Sequence, residues 1–170
     1  MKKILGILII VSLVITAFYL HFTDQENIVA GNSPGESAID FELQTLDNIP
    51  TKLSGYKGKP IILNFWATWC EPCENEMPEL DRFHQEYYED VVILGVNITS
   101  QESNEQSVRN FVNELDVSFP ILLDTEGVFR HYQVINLPTT YFIDSNGMIV
   151  DRYAGELTFE MLEQLKVKLK

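Results

Sequence analysis

The chain contains only two cysteines, and they stand three positions apart as Cys70-Glu71-Pro72-Cys73. An uncharged run, residues 61–66, precedes them and is bounded by Gly58 and Pro60, which is typical of a buried strand. After the pair, apolar residues recur at helical intervals over residues 74–88, with mostly charged residues between them. The two thiols are therefore predicted to lie where a buried strand runs into an amphipathic helix.

Cys70 is predicted to lie at the N-terminus of this helix. The unpaired N–H groups and the positive end of the helix dipole stabilise a thiolate there, and the thiolate is the species that attacks a disulfide. Cys73, one turn further on, is placed to resolve the mixed disulfide that results. The spacing thus predicts a redox cycle in which Cys70 attacks and the Cys70–Cys73 disulfide is the oxidised product.

Other uses of the two cysteines fit the residues less well. A c-type haem site requires histidine directly after the second cysteine, where this chain has Glu74. A structural zinc site requires four ligands, and the chain offers one cysteine pair and three scattered histidines, His21, His84 and His131. A purely structural disulfide closing so short a loop would constrain the unfolded chain little. A peroxidatic cysteine is a sharper alternative, but its pattern has threonine three residues earlier, where this chain has Ala67. No metal and no cofactor is predicted.

The residues around the cysteines resemble a known family. Trp69-Cys70-Glu71-Pro72-Cys73 is similar to the thioredoxin active site, and the longer stretch 58–70 resembles the TlpA/ResA-like branch of membrane-anchored, extracytoplasmic thiol-disulfide oxidoreductases. Further matches are residues 38–43, 119–124, 137–144 and 147–155. The resemblance covers the chain from about residue 33 onward. It implies an α/β thioredoxin fold: a central mixed sheet flanked by helices, with an N-terminal hairpin and an inserted strand-helix element near residues 97–120.

The same resemblance implies roles for residues outside the cysteine pair. The Leu137–Pro138 peptide bond would be cis and would bring the proline loop beside the two sulfurs. A substrate groove would be formed by Trp69, Pro72, Leu137 and Pro138. Glu76, one turn beyond Cys73, stands where members of this branch carry a glutamate linked to proton handling and substrate selection. Asn64 departs from plain thioredoxin, which has a buried acid at that position.

The residues near the thiols indicate the direction of electron flow. Glu71, Glu74 and Glu76 surround the pair, and negative charge near a sulfur opposes thiolate formation. A less stabilised thiolate favours a reductant of protein disulfides over a strong oxidant. By resemblance, one substrate class is apocytochrome c before haem attachment, and the donor is a membrane-embedded electron carrier. Two alternatives stay open: a reductase of other envelope or spore proteins, and a redox-inactive binding module that keeps only the fold.

The N-terminal residues predict a membrane anchor. Residues 4–20 carry no charge and follow Lys2 and Lys3, so residues 1–22 are predicted to span a membrane with a cytoplasmic N-terminus. The catalytic domain would then be extracytoplasmic. A cleaved signal peptide is the alternative, but Ala17-Phe18-Tyr19 offers no A-x-A cleavage site. Residues 23–36 are predicted to form a spacer, and residues 37–170 a single thioredoxin-like domain.

The remaining elements follow from apolar patterning and turn residues. Strands are predicted at 91–96, 120–123, 140–143 and 148–153, a hairpin at 41–53, and helices at 105–115, 128–132 and 158–169.

The net charge of −13 argues against nucleic-acid binding, because no basic patch is present to neutralise phosphates.

Overall fold

The computed structural model describes residues 12, 14–16 and 30–169. The predicted anchor, residues 1–22, therefore lies almost entirely outside the described residues. Within the part that is described, no helix has the length and apolar character needed to cross a membrane.

The core of the structure is a mixed sheet of seven strands in the order β4-β3-β7-β6-β5-β8-β9. Two further strands, β1 and β2, form a short parallel pair of their own. The strands are β1 Ala30–Gly31, β2 Ser37–Ala38, β3 Glu42–Thr45, β4 Pro50–Lys52, β5 Ile61–Trp66, β6 Val92–Asn97, β7 Ile121–Leu123, β8 Thr139–Ile143 and β9 Ile149–Ala154. The helices are α1 Glu71–Tyr87, α2 Glu105–Glu114, α3 Val128–His131 and α4 Phe159–Lys166.

Strand β5 is an interior strand of the sheet, next to the middle strand β6, and leads directly to the cysteines. It pairs in parallel with β6 and antiparallel with β8, and all six of its residues are buried. Alternate side chains enter different cores, since successive residues of a strand point to opposite faces. Ile62 and Trp66 pack in the cluster that includes residues of α1, α2 and α4, whereas Leu63 and Phe65 pack in the cluster that includes residues of α3.

The predicted architecture, a central mixed sheet flanked by helices, is confirmed. Helix α1 begins at Glu71, directly after Cys70, as predicted, and Pro72 is accommodated in its first turn, where no amide hydrogen is needed. The last predicted helix ends at Lys166 and continues as a 3-10 turn, Val167–Leu169. Near residues 97–120, where an inserted strand-helix element was predicted, the chain forms helix α2 first, and strand β7 follows just beyond that range.

The predicted spacer, residues 23–36, includes residues that belong to the folded unit. The amide of Gly35 donates to the carbonyl of Ile149 at 2.8 Å, and the carbonyl of Glu36 accepts from the amide of Ile149 at 2.9 Å. These bonds attach residues 30–38 to the strand β9 end of the sheet. Ala30 borders a hollow of about 230 Å³ together with Lys59 and Ile61, at the start of β5.

Asp124 holds the start of α3 and offers a stability test. Its carboxylate is fully buried and accepts the amides of Gly127, Val128 and Phe129 at 2.6, 2.9 and 2.8 Å. Asp124→Ala leaves three amides without this acceptor, and we expect it to lower the free energy of unfolding by about 2–4 kcal/mol. Urea unfolding of the oxidised protein measures the change.

Asp124→Asn is the matched control, since it retains one oxygen acceptor and should cost less than the alanine variant. An alanine variant within about 0.5 kcal/mol of wild type would show that these bonds contribute no net stability.

Candidate active site

The two cysteines lie at the junction of β5 and α1, as predicted. Strand β5 ends at Trp66, a turn closes with the amide of Cys70 donating to the carbonyl of Ala67, and Cys70 is the N-cap of α1. Cys70 and Cys73 are joined in a disulfide, with their Cα atoms 5.2 Å apart. Cys70 is 7% exposed and Cys73 is 0% exposed. An incoming group can therefore reach the sulfur of Cys70 before that of Cys73.

A groove of about 380 Å³ opens beside Cys70. Three of the four residues predicted to form it, Trp69, Pro72 and Leu137, line its walls. The fourth, Pro138, follows a cis peptide bond as the resemblance implied, but it is buried and does not line the groove. Its carbonyl accepts the amide of Gly155 at 2.9 Å, so its backbone joins the loop to the end of β9.

The groove also has lining residues that the sequence analysis did not identify: Ile98, Gln101, Phe129, Val134, Ile135 and Asn136. The most prominent is Ile135, whose side chain is 86% exposed, while Trp69 is 57% exposed. Together with Pro72 and Leu137 these side chains line one groove, and contiguous exposed apolar surface is characteristic of contact sites. Ile135 belongs to an irregular segment without periodicity, so no helix or strand pattern indicated its exposure.

Glu76 lies inside the protein, fully buried on the inner side of α1. One carboxylate oxygen accepts from Nδ2 of Asn64 at 2.7 Å, and the other accepts from the amide of Leu157 at 3.1 Å. Burial raises the pKa of Glu76 to about 8, because the charged form loses its hydration; nearby Glu156 acts in the same direction, and the two hydrogen bonds oppose it. At neutral pH this carboxyl group therefore holds a proton in most molecules of the disulfide form.

The three acids near the cysteines differ in their surroundings. Glu71 and Glu74 are exposed in the first turn of α1, where carboxylates also interact favourably with the helix dipole. Glu76 is buried and largely neutral at pH 7, so it does not surround the sulfurs with a third negative charge. The negative charge near the pair is consequently smaller than the sequence suggested.

Asn64 explains how a buried acid is accommodated at this site. It lies at the centre of β5, is fully buried, and donates to Glu76 and, at 2.9 Å, to the hydroxyl of Thr140. An aspartate at this position would place two acids in contact, and each would oppose ionisation of the other. The buried acid of this site is thus carried by α1, and β5 supplies its neutral partner.

The described residues contain no group of three or more histidine, cysteine or acidic side chains arranged to hold a metal ion. The chemistry that the geometry supports is disulfide exchange at Cys70.

Comparison with known proteins places this site in a family. The sequence model of the AhpC/TSA family matches residues 34–152, which include both cysteines, Glu76 and Pro138. The chain belongs to the AhpC/TSA thioredoxin-like family. The TlpA/ResA-like resemblance of the sequence is confirmed by the relatives within that family.

Two relatives are thioredoxin-like proteins of bacilli. The thioredoxin-like protein YneN of Bacillus subtilis is 40% identical over 163 residues, which cover 96% of this chain and 95% of the relative. The thiol-disulfide oxidoreductase ResA of Bacillus thuringiensis is 36% identical over 157 residues, covering 91% and 86%. Among solved structures, StoA of Bacillus subtilis superposes with a TM-score of 0.68 at 29% identity, covering 79% of this chain and 98% of StoA. This family member is accordingly a thiol-disulfide oxidoreductase of the thioredoxin-like type.

Proposed function

We propose that the chain is a membrane-tethered reductase of extracytoplasmic protein disulfides, with Cys70 as the attacking thiol. The observation that carries the proposal is the unequal exposure of the two sulfurs at the N-terminus of α1, beside an apolar groove. A partner disulfide in the groove reaches Cys70, while Cys73 remains buried until the mixed disulfide has formed.

In the proposed cycle the protein dithiol transfers two electrons to the substrate disulfide. The Cys70 thiolate attacks one sulfur of the substrate disulfide, forms a mixed disulfide, and releases the second substrate sulfur as a thiolate, which takes up a proton. Cys73 then loses its proton and attacks the Cys70 sulfur, and the first substrate sulfur leaves as a thiolate, which takes up a proton from water. The substrate gains two electrons and becomes a dithiol, and the protein ends as the Cys70–Cys73 disulfide. A membrane-embedded donor would return the two electrons.

Glu76 is proposed to accept the proton that Cys73 gives up. It lies one helical turn from Cys73 on α1, and both side chains are fully buried. A carboxyl group with a pKa near 8 in the disulfide form retains the proton at neutral pH after the disulfide closes. When the donor reduces the Cys70–Cys73 disulfide, the same group would return a proton to the leaving Cys73 sulfur.

Two features support reduction over oxidation. The carboxylates of Glu71 and Glu74 stand in the first turn of α1 and oppose the effect of the dipole on the Cys70 thiolate. Among the described residues that line the groove, Glu71 is the one charged side chain, so no cation there stabilises the thiolate. A protein with a poorly stabilised thiolate gives up electrons readily.

By its TlpA/ResA-like resemblance, the proposed substrate class includes apocytochrome c, whose cysteines must be reduced before haem attachment. Other envelope or spore proteins are the alternative substrates. The uncharged segment after Lys2 and Lys3 supports the proposed anchor, with the catalytic domain outside the cytoplasm.

Redox titration tests the proposed activity and its direction. The protein is equilibrated in buffers of oxidised and reduced dithiothreitol or glutathione, alkylated, and weighed by mass spectrometry. We expect a potential at or below about −200 mV, in the range of disulfide reductants. A potential near about −120 mV, the range of strong oxidants, would overturn the direction, and a pair that never interconverts would leave the binding-module alternative.

Protease accessibility tests the proposed location. In cells that express the full chain, we expect the protein in the membrane fraction and the domain cleaved by protease added from outside. A full-length protein that remains in the cytoplasmic fraction would contradict the anchor.

The groove predicts a selective effect of Ile135→Ser. Removing this exposed apolar wall should raise the KM for a protein disulfide about threefold to tenfold and leave the rate with a small disulfide nearly unchanged, because a protein segment covers more of the groove surface than a small molecule does. Steady-state reduction of insulin and of a small aromatic disulfide compares the two.

Ile49→Ser is the matched control for that variant, since Ile49 is also an exposed isoleucine, 57% exposed, but does not line the groove. Equal effects of the two substitutions would exclude a specific role for Ile135.

A further inference from the structure

The turn that precedes Cys70 is held from outside by a separate loop. Thr68 and Trp69 are the two central residues of the turn that the Cys70 amide closes onto the Ala67 carbonyl. Their partners come from the segment after β6, some 34 residues later in the chain. The position of Trp69, one wall of the groove, therefore depends on contacts that neither β5 nor α1 provides.

Glu102 makes most of these contacts. One of its carboxylate oxygens accepts from the Thr68 amide at 2.7 Å, and the other accepts from the Thr68 hydroxyl at 2.5 Å. The first oxygen also accepts from Nδ2 of Asn97 at 2.8 Å, and Asn97 is a fully buried residue at the end of β6. A single side chain thus ties the catalytic turn to the interior of the sheet.

The same loop also holds Trp69 and is itself firmly attached. The indole Nε1 of Trp69 donates to the carbonyl of Gln101 at 3.2 Å. The Thr99 hydroxyl donates to Oδ1 of Asn97 at 3.0 Å, and the Ser100 amide donates to the carbonyl of Asp124 at 3.2 Å. Because both ends of the loop are bonded to the sheet, it acts as a fixed support for the turn.

We infer that Glu102 is a positioning residue for substrate recognition: its bonds to Thr68 fix the turn so that the Trp69 indole stays as a wall of the groove. The inference rests on the proposed function, in which a protein segment docks in that groove. It assigns Glu102 no contact with the reacting sulfurs.

The hydrogen bonds of Glu102 do not depend on its negative charge. All three donors are neutral groups, and in the described part of the chain no basic side chain forms an ion pair with Glu102. A glutamine can accept from the Thr68 amide and Asn97 with its oxygen and donate to the Thr68 hydroxyl with its amide, since a hydroxyl both donates and accepts. Glu102→Gln should therefore preserve the support, and Glu102→Ala should remove it.

The test compares Glu102→Ala, Glu102→Gln and the control Glu114→Ala, which changes an exposed acid at the end of α2. Each reduced protein is assayed with insulin and with a small aromatic disulfide. For Glu102→Ala we expect the KM for insulin to rise about fivefold to tenfold, with kcat and the small-disulfide rate within about twofold of wild type. Glu102→Gln and Glu114→Ala should behave as wild type within about twofold.

Acrylamide quenching provides a readout that does not depend on activity. The chain has two tryptophans, and Trp66 is 0% exposed, so the quencher reports mainly on Trp69. With all proteins in the disulfide form, Glu102→Ala should increase the quenching constant about twofold, and Glu102→Gln should leave it unchanged. Thr68→Val, which removes only the hydroxyl donor, should produce a smaller change in the same direction and serves if Glu102→Ala does not fold.

Three results would overturn the inference. Equal effects of glutamine and alanine at position 102 would mean that charge, not hydrogen bonding, is responsible. An equal loss of rate with insulin and with the small disulfide would mean that the substitution alters the reactivity of the cysteines and not the groove. Unchanged Trp69 quenching and insulin KM in both Glu102→Ala and Thr68→Val would show that the turn needs no support. If wild type reduces neither disulfide while quenching responds as expected, the proposed function fails and the positioning role stands.

Discussion

Cys70→Ser is expected to abolish disulfide reduction, with a loss of roughly a thousandfold or more in the rate with insulin. A serine hydroxyl is not ionised at neutral pH and cannot form the mixed disulfide. The buried Cys73 cannot replace it as the attacker, because its side chain has no exposed surface. Insulin reduction, followed by precipitation of the released chain, measures the loss.

Cys73→Ser is the matched variant, because it removes the same disulfide. Closing a loop this short contributes on the order of 2 kcal/mol to stability, so both serine variants should lose a similar, small amount. Their chemistry should differ: Cys73→Ser attacks normally but cannot resolve, so covalent complexes with partner proteins accumulate.

Mass spectrometry of complexes captured from membranes with Cys73→Ser would identify the substrate and the donor. Accumulation of complexes with Cys70→Ser instead would reverse the assigned roles, and equal behaviour of the two variants would contradict an ordered pair.

Glu76→Gln is expected to remove a large part of the pH dependence of stability. The pKa of Glu76 is raised to about 8 in the fold, against 4.5 for the unperturbed group, so the native state binds a proton that the unfolded chain releases. This stabilising contribution is present at low pH and is lost as the pH rises toward and past 8. For the disulfide form, the resulting fall in the free energy of unfolding is about 3 kcal/mol between pH 5 and pH 8.

Urea unfolding at several pH values measures this difference, with Glu74→Gln, an exposed acid on the same helix, as the control. The difference between wild type and Glu76→Gln isolates the carboxyl group, because other titrating groups are common to both. Parallel pH profiles for the two proteins would mean that Glu76 is ionised in the fold.

The same variant tests the proton transfer. Without a base near Cys73, closure of the disulfide should slow by about a hundredfold at pH 7, and mixed disulfides should appear as with Cys73→Ser. A rate of closure equal to that of wild type would leave Glu76 with a structural role.

Periodicity and turn chemistry were sufficient to predict most of the fold. Strand β5 is a short run whose six residues are all buried, and such a run has few alternatives to a central strand. Position 76 was within reach of the same reasoning, since Cys73, Met77 and Leu80 lie on the buried side of α1 and Glu76 falls among them. A charged side chain is usually exposed, whereas the helical spacing indicates the interior for Glu76.

Other features depend on contacts between distant segments and leave no local pattern. Glu102 lies in an irregular loop, and only the folded chain brings it to Thr68. Ile135 is exposed in an irregular segment between α3 and Leu137, where no periodic arrangement indicates which side chains face outward. Strands β1 and β2 have two residues each, too few to show alternation, so residues 30–36 looked like a polar linker.

The positions of Ala30 and Cys70 at opposite ends of β5 determine the steric clearance of the reaction centre. Ala30 borders the start of the strand, and Cys70 is the last residue of the four-residue turn that follows its end. A strand of six residues is roughly 20 Å long. A molecule held through its N-terminal side would thus present the groove on its far side, where a bulky folded partner could approach without colliding with whatever the chain is attached to.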